Sequence, residues 1–220
     1  MQYRKQKRRS RLWITGFILI LITIIILSAT STNRSEYLVY GFDRQIPQSE
    51  QDLRLSYVAT AKQWLGYKES NGTHKQIIDL YNSHTPLAQG YRVKYDDEWC
   101  ATFVSAAAIE AQLTQIIPTE CGCQRQIDLF EKLETWQEDD RYIPLPGDII
   151  YYCRQNSSNL RDCTGWADHV GIVVGTNGNR IKVIEGNYGD QVAYRYIRVD
   201  DPIIRGYAIP DYALLVAETP

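Results

Sequence analysis

Between Leu12 and Ala29 the chain runs for 18 residues without a charge, and most of them are isoleucine or leucine. As a helix such a run extends about 27 Å, close to the roughly 30 Å of a bilayer's hydrocarbon core. A soluble helix would need a polar face, and none interrupts the run. Arg4, Lys5, Lys7, Arg8, Arg9 and Arg11 precede it. That cluster predicts a cytoplasmic N-terminus, with everything after Ala29 on the outer side of a cell membrane crossed once. A cleaved signal peptide, cut near Ala29-Thr30-Ser31, is the rival reading, although the apolar core is long for one. Under either reading the rest of the chain is exported. The expected division is a basic tail (1–11), an anchor (12–29), a linker (30–49), one domain (50–213) and a short C-terminal tail (214–220). The linker spans at most roughly 70 Å when extended, so an anchored domain works close to the membrane face.

The formal charge of −2 provides no basic field for nucleic acid. Sixteen tyrosines and five tryptophans suit a packed core or a groove for sugars or peptides, and composition does not choose between them. Ser49-Glu50-Gln51-Asp52 reads as a capping box, followed by Leu53, Tyr57, Ala61 and Trp64 at helical spacing. Thr73-His74-Lys75-Gln76 reads as a second box, with His74 exposed in the first turn. Asp96 or Asp97 is the expected N-cap of a third helix, whose apolar face carries Cys100, Phe103, Val104, Ala107 and Ala111 and which Pro118 stops. Ile127, Phe130, Leu133 and Trp136 mark a fourth. After Pro144-Leu145-Pro146-Gly147 the period changes to that of strands: Asp148–Cys153, His169–Val174, Arg180–Glu185 and Gln191–Val199. Helices first and then strands joined by short turns indicate an α+β fold with an antiparallel sheet.

Cysteines stand at 100, 121, 123, 153 and 163. The count is odd, so at least one is unpaired within the chain. A hairpin near Ser158 sets Cys153 opposite Cys163, where a bridge would stabilise by about 2–3 kcal/mol. Cys121 and Cys123 would close a small, strained ring, or pair elsewhere. A zinc site is a weaker competitor, because none of the three histidines has ligand spacing to Cys121-Gly122-Cys123.

A thiol in the first turn of a helix lies near unpaired N–H groups and the positive end of the dipole, which favour the thiolate. The bland alternative for Cys100 is a small buried hydrophobe. A nucleophile also needs a base and an orienter for that base. His169 begins one strand, and Glu185-Gly186-Asn187 ends the next. A strict two-residue loop at Asn177-Gly178 pairs His169 with Gly186 and turns Glu185 and Asn187 away. A three-residue loop centred at Asn177 pairs His169 with Glu185 on one face. A working site therefore requires the loop or a bulge to shift the register by one. Asp96, Asp97 and Glu98 oppose the thiolate if they face the sulfur.

Four blocks in order are specific together: Glu98-Trp99-Cys100-Ala101-Thr102-Phe103-Val104-Ser105, Pro146-Gly147-Asp148-Ile149-Ile150, Asp168-His169-Val170-Gly171-Ile172-Val173 and Ile184-Glu185-Gly186-Asn187. With Trp64-Leu65-Gly66 and Gly206-Tyr207-Ala208, they make residues 50–213 resemble the CHAP domain family, which groups with the NlpC/P60 papain-like cysteine amidohydrolases. The resemblance implies a papain-like fold of N-terminal helices on an antiparallel sheet. It implies a hydrolase of amide bonds in peptidoglycan, an N-acetylmuramoyl-L-alanine amidase or a peptide-bridge endopeptidase. Cys100 then matches the nucleophile, His169 the base, and Glu185 and Asn187 the residues that orient the imidazole, with no cofactor or metal. Trp99 and Asp168 within these blocks, and Asp97 and Trp166 beside them, are the expected substrate contacts. Partners would be peptidoglycan, the membrane through the N-terminal helix, and other cell-envelope proteins. Two other classes compete: a wall-binding scaffold that has lost turnover, and a protease of cell-surface proteins.

Overall fold

The computed structural model describes residues 45–154 and 163–217. The basic tail, the apolar run 12–29 and residues 30–44 of the expected linker lie outside the described residues. Among the described residues no helix is long and apolar enough to cross a membrane.

Four helices come first: α1 (Gln48–Lys62), α2 (Lys75–Ser83), α3 (Cys100–Glu110) and α4 (Cys123–Lys132). The strands are β1 (Trp136–Gln137), β2 (Ile149–Tyr152), β3 (His169–Asn177), β4 (Arg180–Glu185), β5 (Ala193–Arg198) and β6 (Ile204–Ala208), and α5 (Tyr212–Ala217) follows. They form one sheet in the order β1-β6-β2-β3-β4-β5. Every neighbouring pair is antiparallel, as the α+β reading expected. One face packs on the helices through Val170, Ile172, Val174 and Ile184. The other carries its own cluster of Ile150, Tyr152, Val173, Ile181, Val183 and Tyr207.

Several local expectations are corrected. Helix α1 begins at Gln48, so Ser49 sits inside it and the box at Ser49–Asp52 does not form; Pro47, whose φ of −52° already suits a helix, provides the start. At α2, His74 occupies the N-cap position without a side-chain cap. The Thr73 hydroxyl instead meets Asn71 Oδ1 at 2.7 Å. His74 is only 3 % exposed, because its ring packs beside Trp99 and Tyr95 and its Nε2 meets the Tyr95 carbonyl at 3.0 Å. The N-cap of α3 is Trp99, with no carboxylate cap. That helix ends at Glu110, well before Pro118, where Gln112 turns the chain with a φ of 58°. It is buried from Cys100 through Ala108, not on one face alone, as a helix apolar all round must be. Trp136 belongs to β1, paired with Ala208, and not to the helix before it. The C-terminal tail is partly helical, and Tyr212 is buried with its hydroxyl donating to the Gly147 carbonyl at 2.8 Å.

Asp148 fastens helices to sheet. It is fully buried and accepts from Arg54 of α1 at 2.7 Å, from the Tyr142 hydroxyl at 2.8 Å and from the Leu145 amide at 2.8 Å. Burial raises its carboxyl pKa, against the opposing pull of Arg54. Gly147 precedes it with a φ of +85°, and a Cβ there would lie 2.8 Å from the Tyr212 hydroxyl. The conformation and the close approach both require glycine.

The β3–β4 hairpin turns on Gly178-Asn179, one residue later than the tight loop considered above, so Asn177 faces Arg180. A bulge at Val174 then moves the register by one: Gly175 pairs with Lys182, but Val173 pairs with Val183. Continued to the strand's start, this register sets Gly171 opposite Glu185 and His169 opposite Asn187. His169 and Glu185 therefore share a face diagonally, instead of standing directly opposite each other.

Candidate active site

Helix α3 begins at Cys100, so the thiol occupies the first helical position. The helix is seated by Gly186: a Cβ there would lie 2.4 Å from Phe103 Cβ and 2.9 Å from the Trp99 ring. Only a bare backbone lets the helix start approach the end of β4. Trp99 is itself buried, its indole donating to Glu69 at 2.9 Å. It is a packing residue and offers no surface to a substrate, contrary to the expectation above.

His169 opens β3, opposite Tyr152 of β2. The two rings stack, with centroids 6.1 Å apart and planes inclined by 26°. His169 Nε2 meets Glu185 Oε2 at 2.9 Å, and Glu185 Oε1 accepts from Arg195 Nε at 2.6 Å. His169 and Glu185 are both wholly buried. Gly171 makes this diagonal possible, because a Cβ there would lie 2.6 Å from Glu185 Cγ. With Nε2 held by Glu185, His169 Nδ1 has no oxygen or nitrogen partner among the described residues and remains for the Cys100 sulfur.

The electrostatics match that geometry. The Cys100 thiol is held well below its ordinary range by a hydrogen bond from Cys123, against the opposing effect of burial. His169 and the Ala101 amide also favour the thiolate. Burial pushes His169 down, yet its contacts with Cys100 and Glu185 outweigh this and lift the imidazole to about 9. Thiolate and imidazolium thus stabilise each other.

The remaining expected residues divide. Asn187 does not meet the imidazole; its side-chain amide donates to Glu98 at 2.6 Å. Asp97 closes a turn, accepting from the Lys94 amide at 2.8 Å and the Tyr91 hydroxyl at 2.7 Å. Two of the three carboxylates ahead of the sulfur therefore have partners of their own. Asp168 accepts from the Arg154 amide at 2.7 Å. Trp166 is 77 % exposed and lies three residues before His169. Cys153 and Cys163 are joined, with Cα atoms 5.9 Å apart, while Cys100, Cys121 and Cys123 are free.

Three contributors escaped the sequence. Arg195 sits in a strand whose alternation of Tyr and Arg gives no sign of a buried partner. A count along β5 finds it, because Arg195 pairs with Val183, two residues from Glu185 on the same face. Tyr152 read as one strand apolar among several. Cys123 lies with its sulfur 3.6 Å from that of Cys100. Its signal was its position at the start of an amphipathic helix, as Cys100 starts its own.

No curated protein and no solved structure matches the chain. Residues 90–187 match the family model for the CHAP domain, a span that holds Cys100, His169, Glu185 and Asn187 and leaves out Arg54 and Arg195. Over that span the chain is similar to the CHAP domain, a family whose domains are commonly hydrolases acting on peptidoglycan.

Proposed function

We propose that this protein is a cysteine hydrolase that cleaves amide bonds in peptidoglycan, as an N-acetylmuramoyl-L-alanine amidase or a peptide-bridge endopeptidase. The observation that carries the reading is the buried line His169–Glu185–Arg195, whose free imidazole nitrogen is left for a first-turn cysteine. In this mechanism the Cys100 thiolate attacks the amide carbonyl. The His169 imidazolium gives its Nδ1 proton to the leaving amine. Water then loses a proton to His169 as it attacks the thioester, and the acid departs with the thiolate restored. Glu185 keeps Nε2 engaged and holds the ring in the productive orientation. Arg195 keeps Glu185 turned toward the ring. Backbone N–H groups at the start of α3 are the oxyanion donors, aligned with the positive end of the helix. Trp166 is the stacking surface for substrate.

We also place the domain outside the cell membrane, held by the apolar run 12–29 with its basic flank inside. The Cys153–Cys163 bridge supports an oxidising compartment. Digestion of purified peptidoglycan followed by mass spectrometry of the fragments tests the function. New muramyl lactoyl ends indicate an amidase, and new peptide ends an endopeptidase. Intact peptidoglycan with cleaved surface proteins would overturn the reading in favour of a protein protease.

A further inference from the structure

Two helices begin at cysteines that face each other. Cys100 is the first residue of α3 and Cys123 the first of α4. Their sulfurs stand 3.6 Å apart, and the residues are 4 % and 8 % exposed. A disulfide needs about 2.05 Å, so a closure of roughly 1.5 Å would join them.

The approach is held by the chain between them. Ser105 of α3 donates to the Glu120 carbonyl at 2.7 Å and accepts from the Glu120 amide at 2.9 Å. The Glu120 carboxylate accepts from the amides of Cys121 and Gly122, so the turn that delivers Cys123 is tied back to α3. Gln126 of α4 reaches Ser105 and the Pro118 carbonyl. The hydrolysis described above takes from Cys123 a hydrogen bond to the thiolate, which a serine hydroxyl also donates, and leaves its sulfur without a chemical role.

We propose that Cys123 is a resolving cysteine: a peroxide oxidises Cys100, and Cys123 captures the product as a Cys100–Cys123 disulfide that switches the site off reversibly. The inference rests on the reading of Cys100 as the reactive thiolate. In the first step the thiolate takes one oxygen from the peroxide, giving a sulfenic acid, and the peroxide leaves as an alcohol or water after protonation. In the second, the Cys123 sulfur displaces that oxygen; its proton and the hydroxyl leave as water. Two equivalents of a thiol reductant return both hydrogens and reopen the bridge, becoming a disulfide themselves.

The order of events follows from the surroundings. While Cys100 is a thiolate, the hydrogen bond it accepts, together with burial and its charge, keeps Cys123 protonated. Once Cys100 is a neutral sulfenic acid that charge is gone, and the first turn of α4 favours the Cys123 thiolate. Without a resolving thiol, the sulfenic acid proceeds to the sulfinic acid, which dithiothreitol does not reverse.

The test treats the purified chain with hydrogen peroxide and digests it with a glutamate-specific protease, which separates Cys100 (peptide 99–110) from Cys121 and Cys123 (peptide 121–131). The expected product links these two peptides, falls apart with dithiothreitol, persists in Cys121→Ser and is missing in Cys123→Ser. In Cys123→Ser, Cys100 should accumulate as sulfinic acid, and the fraction of its own untreated activity that dithiothreitol restores should be at least tenfold smaller than the fraction restored in the unaltered chain. A cross-link through Cys121, or sulfinic acid as the main product in the unaltered chain, overturns the proposal. Absence of hydrolysis by the reduced chain counts against the hydrolase reading and leaves the cross-link result standing.

Discussion

Among the described residues, the arginine–carboxylate pairs Arg54–Asp148 and Arg195–Glu185 are both buried, and they do different things. At Asp148, both oxygens are filled: one by Arg54, which also donates to Glu50 and the Pro146 carbonyl, the other by the Tyr142 hydroxyl and the Leu145 amide. At Glu185, Arg195 takes one oxygen and His169 the other, but the line continues through the imidazole to a nitrogen without an oxygen or nitrogen partner. The first set is closed and fastens α1 to the sheet. The second is open at one end, and the open end is a place where a proton can leave and return. A buried ion pair alone therefore does not mark a site; an unfilled terminus does. Asp148 belongs to one of the sequence blocks that carry the family resemblance, yet it is structural.

The comparison breaks most sharply at the sulfur. Cys100→Ala should lower fragment release from purified peptidoglycan by at least about 1,000-fold, with the circular dichroism spectrum unchanged. Next come the two carboxylates. Glu185→Gln should lose stability, because Arg195 and His169 keep no buried counter-charge, and in the fraction that stays folded it should cost about 10²- to 10⁴-fold in kcat. Asp148→Ala should lose about 3–5 kcal/mol in denaturant titrations while the folded fraction keeps its kcat. If the two variants behave alike, the distinction between closed and open sets fails. The glycines give a finer pair. Gly171→Ala places a Cβ 2.6 Å from Glu185 Cγ and should lower kcat, whereas Gly147→Ala should lower stability by about 1–3 kcal/mol and spare kcat.

The smallest effect is in the pH profile. The imidazolium that supplies the leaving-group proton is lost as pH rises through about 9, so kcat/KM should fall above that value. The sign for stability is the same. The pKa is raised from 6.5, so the His169 contribution is complete below the unfolded value and disappears as pH passes about 9. Cys100 carries the opposite sign, because its pKa is lowered, so the two contributions largely cancel in the folding free energy and the fall of kcat/KM above about 9 is the check; a kcat/KM that stays flat through pH 10 would remove the imidazolium from the mechanism.

What was legible in the sequence was local or periodic. The hairpin of β3 and β4, with His169 and Glu185 at its open end, follows from alternation and one turn. The fold class follows from helical spacing giving way to strands. What was illegible depends on distant partners. Strand β6 lies between β1 and β2, and no turn signal links Ile204–Ala208 to either. Trp136 fell at helical spacing after Leu133, but pairing with Ala208 overrides that spacing. His74 looked exposed because its neighbours are polar, until the Trp99 and Tyr95 rings cover it. Asn187 and Glu98 each carried a reading of their own, and only the fold joins them.

The extra residue in β3 has a consequence for how this site tolerates change in chain length. Above the bulge, β3 pairs with β4 alone, and Gly175 already faces Lys182 while Val173 faces Val183. Removing Val174 would therefore leave an unbroken ladder with every one of those partners kept, and His169 would still share a face with Glu185. Val173 and Val174 are the same residue type, so deleting either gives one and the same chain, which takes up this register with its faces intact. The bulge acts as a slack link that lets the turn vary in length without transmitting the change to the catalytic end of the strand.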